Sequence, residues 1–336
     1  MSLPTRPLGT TGMEITTVGL GAWAIGGGDW AWGWSRQADA SSIAAIRRAL
    51  ELGISWIDTA AVYGLGHSEE VVAEALRDLP KSQRPFVFTK CGQVWDEANP
   101  FTQPRRVGNP ASLRRELEAS LRRLRVDYID LYQMHFPAAD GNSVEEVWQC
   151  LLDFKAEGKI RAAGLSNHNV PQLAAAETLG HVDSLQPPFS AIRRDAAAAE
   201  IPWCRDHGTG VIVYSPLQSG LLSGGFSLQR MGSLAKDDWR HRSGDFQGEA
   251  LQRNLALAEV FTALGQERGV STASMAIAWT LAFPGVSGAI VGARSALQVE
   301  GWIAGASLTL TAAEMNAIAA AITKTHAGSG PCTLPG

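Results

Sequence analysis

The sequence predicts an α/β chain folded as a closed parallel (β/α)8 barrel, a TIM barrel, with an N-terminal β-hairpin and extra C-terminal helices. Three observations lead there. Short apolar runs alternate with helix-patterned segments along most of the 336 residues. Eight such pairs can be counted, the number that closes a barrel. Several apolar runs also end in ionisable residues, and barrels of this kind hold their chemistry at strand ends.

The elements follow in order. Residues 6–17 read as a hairpin turned by Gly9-Thr10-Thr11-Gly12. Candidate strands are 18–20, 54–57, 86–89, 129–134, 161–165, 182–186, 211–214 and 289–291. Helices are expected near 39–52, 68–79, 110–125, 143–157, 171–178, 196–207, 250–268 and 295–304. Asn109-Pro110 supplies an N-cap and a first-turn proline, and Leu113, Leu117, Leu121 and Leu124 mark one face. Thr311 with Glu314 makes a capping box for an added helix carrying Met315, Ile318 and Ile322. Two stretches exceed what a connection needs: 26–37, with Trp30, Trp32 and Trp34, and 216–248, polar and rich in glycine and serine. Long loops in compact domains serve as lids or binding elements. Length alone suggests about two domains, but the pattern reads as one barrel over 1–336 with a loose tail from about 327.

Composition narrows the function. With 29 basic and 33 acidic residues the net charge is -4, which gives no electrostatic reason to expect nucleic acid or an anionic membrane. Cys91, Cys150, Cys204 and Cys332 are too sparse for a disulfide framework and form no C-x-x-C pair. The first residues lack a signal-peptide pattern, and the most apolar stretch, 275–283, is too short to span a bilayer. A reducing, cytoplasmic location is expected, with no metal.

The chemistry gathers in the run from Asp58 to Glu70. Asp58 closes an apolar run and Tyr63 stands on the loop beyond it; Lys90 and His135 close the next two runs. Together they form a set of acid–base groups. A buried ion pair with a capping phenol is the plainer account, but four such residues on one face of a barrel favour catalysis. Other motifs read as structural. Gly19-Leu20-Gly21 resembles a dinucleotide fingerprint but lacks the helix that must follow it. The seven arginines between Arg105 and Arg125 alternate with Glu116 and Glu118 and read as a solvated helix face. His67 has no second metal ligand at useful spacing, and the Glu69-Glu70 pair is expected to favour the positive end of a helix starting at Ser68. Cys91 reads as a packed small residue.

The run D-T-A-x-x-Y-G-x-G-x-S-E, followed by T-K-C-G and L-Y-Q-M-H-F-P at the next strand ends, closely resembles the aldo-keto reductases. The likeness continues through G-K-I-R-x-x-G-L-S-N (158–167), Gln186-Pro187, V-Y-S-P-L-x-S-G-L-L (213–222) and I-V-G-A-R (290–294), and so covers nearly the whole chain. The chain is most similar to bacterial members without a long C-terminal substrate loop. The resemblance implies reversible reduction of aldehydes and ketones with a nicotinamide cofactor. Asp58, Tyr63, Lys90 and His135 would be catalytic: Tyr63 the proton donor, Lys90 lowering its pKa, Asp58 holding Lys90, and His135 donating to the carbonyl oxygen. Ser166, Asn167 and Gln186 would hold the carboxamide, and Tyr214 would stack on the ring. Ser215, Pro216, Leu217, Ser219, Gly220 and Leu221 would cover the pyrophosphate, Ser219 being the weaker contact. Gly21, Ala22, Trp23, Gly292 and Ala293 complete the cofactor contacts, with Gln298 on the adenine side. Arg294 would pair with a 2′-phosphate and so favour NADPH over NADH.

The chain departs from the family in two places. Gly224-Gly225 stands where many relatives carry a lysine, and Gly301-Trp302 where a Glu-Asn pair is common. Both departures weaken the expected phosphate grip and leave NADH as an alternative cofactor. Trp23, Trp30, Trp32, Trp95 and Phe136 are expected to wall the pocket for a small-molecule carbonyl substrate; ordinary core or rim packing accounts for some of these tryptophans equally well. A monomer is slightly favoured. Two rival readings stay open: a non-catalytic nucleotide-sensing subunit on the same scaffold, and a Schiff-base aldolase using Lys90.

Overall fold

The computed structural model describes residues 2–34, 37–235 and 238–332. A short antiparallel hairpin, β1 (Thr5–Pro7) and β2 (Glu14–Thr16), precedes the barrel. The barrel strands are β3 (Val18–Gly21), β4 (Trp56–Asp58), β5 (Phe86–Cys91), β8 (Ile129–Met134), β9 (Ile160–Ser166), β10 (Ser184–Gln186), β11 (Gly210–Tyr214) and β12 (Gly288–Gly292). A small flap, β6 (Gln93–Val94) paired with β7 (Arg105–Arg106), interrupts them after β5. Each barrel strand pairs in parallel with the next, and β12 returns to β3 to close the ring.

The helices are α1 (Asp39–Glu51), α2 (His67–Leu76), α3 (Pro110–Leu124), α4 (Val144–Ala156), α5 (Val170–Glu177) and α6 (Glu200–His207). After β11 come α7 (Leu228–Ser233), α8 (Gly248–Arg268) and α9 (Thr272–Leu281), and after β12 come α10 (Ala296–Trp302) and α11 (Ala312–Thr325). The Asn109 side chain accepts from two N–H groups of the first turn of α3, and Thr311 with Glu314 forms the capping box of α11. Both were legible as local sequence signals.

Strand alternation arranges the interior in layers, because every second residue faces the same way. The lower layer is apolar: Trp56, Phe88, Leu131, Ala162, Ile212 and Ile290 cluster with Leu8, Met13 and Ile15 of the hairpin region. The hairpin thus closes one end of the barrel, and the Trp56 indole N–H donates to Thr16 O at 2.8 Å. Two residues further along β4, β5, β8, β10 and β11 stand Asp58, Lys90, Gln133, Gln186 and Tyr214. The polar layer is therefore the same inward face, one step higher.

Several elements differ from expectation. The helix expected at 196–207 is split into a tight turn at Asp195–Ala197 and α6, whose first turn tolerates Pro202 because an N–H there needs no intrahelical partner. The expected strand at 182–186 starts at Ser184. The apolar stretch noted at 275–283 belongs largely to α9, in which all ten residues are buried. A helix covered on every side shows no amphipathic period, which is why the sequence did not mark it. The start of the tail, expected to be loose, makes defined contacts: the buried Arg194 guanidinium donates to Ala327 O, Gly330 O and Pro331 O. Residues 333–336 of that tail lie outside the described residues, as do positions 35–36 and 236–237 of the two long loops.

The Gly-x-Gly in β3 serves packing. A Cβ on Gly19 would lie 2.2 Å from the Trp56 ring. Gly19→Ala is therefore expected to lower stability by about 1–3 kcal/mol through overpacking, read as a reduced urea midpoint with an unchanged slope.

Candidate active site

The polar layer centres on one buried ion pair. Lys90 Nζ donates to Asp58 Oδ1 at 2.5 Å and to Thr59 O at 2.7 Å. Asp58 Oδ2 accepts from Gln186 Nε2 at 2.9 Å and Gln133 Nε2 at 3.5 Å. Burial lowers the Lys90 pKa, against the opposing pull of Asp58. With its ammonium committed to two acceptors, Lys90 is poorly disposed to attack a carbonyl, which argues against the Schiff-base reading.

Tyr63 approaches this pair from the loop after β4. The Lys90 ammonium lies 5.2 Å from the centre of its ring. The expectation that Lys90 would lower the phenol pKa is not met. Burial pushes it well up, and the charge of Asp58 and the proximity of Tyr214 add to that. Desolvation penalises a phenolate more than one already-paired ammonium relieves it. Tyr63 thus keeps its proton. His135, edge-on to Tyr63 with ring centres 5.7 Å apart, is pushed well below its ordinary value by burial, then by Lys90 and Arg106. It is a neutral imidazole near pH 7, able to donate one N–H.

The loop carrying Tyr63 is fixed by backbone contact. Gly64 has φ +61°, and a Cβ there would lie 2.1 Å from Gly26 O in the loop after β3. Below it, Ser68 Oγ donates to Ala22 O and bonds Thr59 Oγ1. Glu69 and Glu70 both stand in the first turn of α2, at its positive end as expected, but Glu69 also has a second role. It is fully buried, accepts from Thr89 Oγ1 at 2.7 Å and pairs with Arg123 at 2.6 Å, while Glu70 alone is exposed. His67 pairs with Asp39 at 2.9 Å.

Asn167 links the far side of the mouth. Its amide donates to His135 O at 2.9 Å and Ser166 Oγ at 3.0 Å, and its carbonyl accepts from the Tyr214 hydroxyl at 2.8 Å. Ser166 Oγ donates to Gln186 O at 2.9 Å. The structure thus brings Ser166, Asn167, Gln186 and Tyr214 beside the tetrad. After Tyr214, Ser215, Gln218 and Ser219 all have positive φ, 59°, 42° and 52°. Three non-glycine residues in the left-handed region within five positions mark a strained turn of the kind that cradles anions. Gln218, which sequence reasoning missed, anchors it through Ser190 and Asp245.

Arg294 follows β12. Its backbone N–H donates to Gln298 at 2.7 Å and its Nε to Gln37 at 2.7 Å. Burial, then the nearby Arg240, lowers its pKa. Gln37 and Arg240 were also missed; both lie in the long loops, where periodicity offers no signal. Those loops meet over the mouth: Trp34 of the first, and Trp23 just before it, lie 5.9 and 5.6 Å from Trp239 of the second. Among the expected pocket tryptophans, Trp30 is buried with Ala60 and Val62, and Trp23 and Trp95 pack against that cluster. Trp32 is 37% exposed, its carbonyl accepting from Trp23 Nε1 at 3.1 Å. Phe136 stacks on His135 with ring centres 5.1 Å apart.

A closed parallel barrel with these groups at its strand ends defines a class of oxidoreductase, and comparison with known proteins supplies the family. The pattern of the Aldo/keto reductase family matches residues 17–323. The chain is 34% identical over 291 residues to the aldo-keto reductase YhdN of Bacillus subtilis, covering 86% of this chain and 85% of that one. It is 34% identical over 321 residues to an NADH-specific methylglyoxal reductase of Escherichia coli, covering 92% and 95%. The glycerol dehydrogenase AKR11B4 of Gluconobacter oxydans superposes with a TM-score of 0.87 at 33% identity, covering 100% of both chains. The chain belongs to the aldo/keto reductase family. It is an NAD(P)H-dependent oxidoreductase acting on small-molecule carbonyls. Among the described residues no helix is long and apolar enough to cross a membrane.

Behind Lys90, Glu116 accepts from Gly92 N–H at 2.8 Å and from Ser112 Oγ at 3.2 Å, and burial pushes its carboxyl up to about 7. The folded state therefore holds a proton that the unfolded state has already lost. Its stabilising effect is complete below the unfolded value of 4.5 and fades as pH rises through about 7. The loss is at most of order 3 kcal/mol. Glu116→Gln should flatten the pH dependence of urea unfolding between about pH 4.5 and 7, where folded and unfolded states bind different numbers of protons. An unaltered profile would remove Glu116 as its source.

Proposed function

We propose that the chain reduces aldehydes and ketones with NADPH, Tyr63 supplying the proton, and runs in reverse as an alcohol dehydrogenase. The observation that carries this reading is the fully paired Asp58–Lys90 couple facing the Tyr63 ring, with His135 edge-on beside it. The residues fit a nicotinamide cofactor: Tyr214 offers a ring whose hydroxyl is tied off by Asn167, Ser166, Asn167 and Gln186 present amide and hydroxyl groups, and the strained 215–219 turn suits a pyrophosphate. When bound, the cofactor supplies the hydride. His135 donates its N–H to the substrate oxygen and orients it. Tyr63 Oη gives up its proton to that oxygen as negative charge develops there. The resulting phenolate is held by the Lys90 ammonium until solvent restores the proton. Asp58 keeps Lys90 charged, and Gln133 and Gln186 keep Asp58 in place. In oxidation Tyr63 becomes the base.

The preference for NADPH rests on Arg294, which follows β12 and is held by Gln37. A dianionic 2′-phosphate gains a charge-assisted contact with a guanidinium; a ribose hydroxyl does not. The relative named as NADH-specific makes the other cofactor a concrete alternative. Trp302 is buried in this chain and contributes packing where relatives carry a polar pair. A cytoplasmic location accords with four free thiols and a nicotinamide cofactor, and we retain a monomer as the working state.

Following NADPH consumption over aldehydes, ketones, keto-sugars and keto-steroids tests the reading. Tyr63→Phe should cut kcat by at least about a hundredfold while NADPH titration by fluorescence is preserved; near-native reduction by this variant removes Tyr63 as proton donor. Arg294→Ala should raise the KM for NADPH about tenfold or more and that for NADH far less, and equal effects would detach Arg294 from the 2′-phosphate.

A further inference from the structure

We propose that Arg106 selects carbonyl substrates bearing an anionic group, its guanidinium receiving carboxylate or phosphate oxygens beside His135. The inference rests on the placement of the substrate carbonyl at Tyr63 and His135. Arg106 ends the flap strand β7, where it pairs with Gln93, and its carbonyl accepts from Ala139 N–H at 3.0 Å, tying the flap to the loop beyond β8. Its guanidinium carbon lies 4.6 Å from the centre of the Phe136 ring. That ring in turn stacks on His135 at 5.1 Å and 21°. The cation therefore stands one aromatic ring away from the group that orients the carbonyl. Its field reaches the site, since it is one of the causes that keep His135 unprotonated.

Among the arginines that lie over an aromatic ring, Arg106 stands apart. The Lys90 ammonium is neutralised by Asp58, and His135 is neutral. Other arginines with an aromatic neighbour have an acid as well: Arg114 with Glu157, Arg161 with Asp130, Arg240 with Asp238. Among the described residues Arg106 has no carboxylate within ion-pair distance, although it is exposed at the edge of the site. An arginine lying on an aromatic ring still presents the planar N–H fork that matches a carboxylate or phosphate. An anionic substrate thus gains one charge-assisted contact that a neutral one lacks.

The test is steady-state reduction of para-carboxybenzaldehyde and the neutral, similarly shaped para-nitrobenzaldehyde at low ionic strength. The parent protein is compared with Arg106→Met and Arg106→Lys. The ratio of kcat/KM, carboxylate over nitro, should fall about tenfold or more in Arg106→Met, mainly through KM, and recover in part with lysine. Glyceraldehyde phosphate against glyceraldehyde forms a parallel arm; a larger Arg106-dependent ratio there assigns phosphate as the preferred anion. An unchanged ratio in both arms, or an equal loss for charged and neutral aldehydes, overturns the proposal. Failure of the parent protein to reduce any of these aldehydes overturns the placement of the carbonyl as well, which separates the two outcomes.

Discussion

The structure depends on keeping one ammonium inside a barrel. Moving Lys90 out of water costs several kcal/mol, even after relaxation. Asp58 supplies the opposite charge, and the remaining donors and acceptors are matched by Thr59 O, Gln186 and Gln133. Removing Asp58 or Lys90 strands a charge, so the four strands that carry this network, β4, β5, β8 and β10, must hold register to within a residue. A slip by one would turn every polar group outward and every interior aromatic with it. Precision at the mouth is thus enforced by the penalty for an unpaired charge, with the apolar layer beneath supplying the rigid floor.

The loops translate that layer into a site. Tyr63 is held where two backbones touch at Gly26 and Gly64, and this contact, together with Ser68 reaching Ala22, joins the loops after β3 and β4. Asn167 performs the equivalent task opposite, tying the loops after β8, β9 and β11. The two long loops then meet through Trp23, Trp34 and Trp239. The same loops place Arg240, paired with Asp238, beside Arg294, while Arg106 stands on the flap after β5.

Legibility followed periodicity. The barrel strands could be read because each is a short apolar run ending in a residue that breaks the run, and α3 and α11 because their caps are local. The helix α9 was hidden because total burial erases the polar face that makes a helix recognisable. The flap β6–β7 was hidden because two-residue strands carry no period. Among the site residues, Asp58, Lys90 and His135 stood out as charges closing apolar runs. Gln133, Gln37, Gln218 and Arg240 did not, since a neutral amide in a strand or a charge in a polar loop has nothing to contrast with. The burial of Glu69 was hidden for a related reason: a carboxylate at a helix start ordinarily faces solvent, and only the packing of Arg123 and Thr89 shows it buried.

The sequence by itself determined the order of strands and helices, the family, and the types of group at each strand end, because these are properties of local spacing and of residues adjacent in the chain. Tertiary structure alone decided the protonation states. Lys90 was expected to lower the Tyr63 pKa on the strength of its charge, yet desolvation among neighbours from several parts of the chain is the largest cause acting on the phenol and pushes it up. Tertiary structure also decided which cations are spent and which are free to meet a ligand. Burial and long-range pairing are sums over residues far apart in the chain, and no single stretch of sequence contains them.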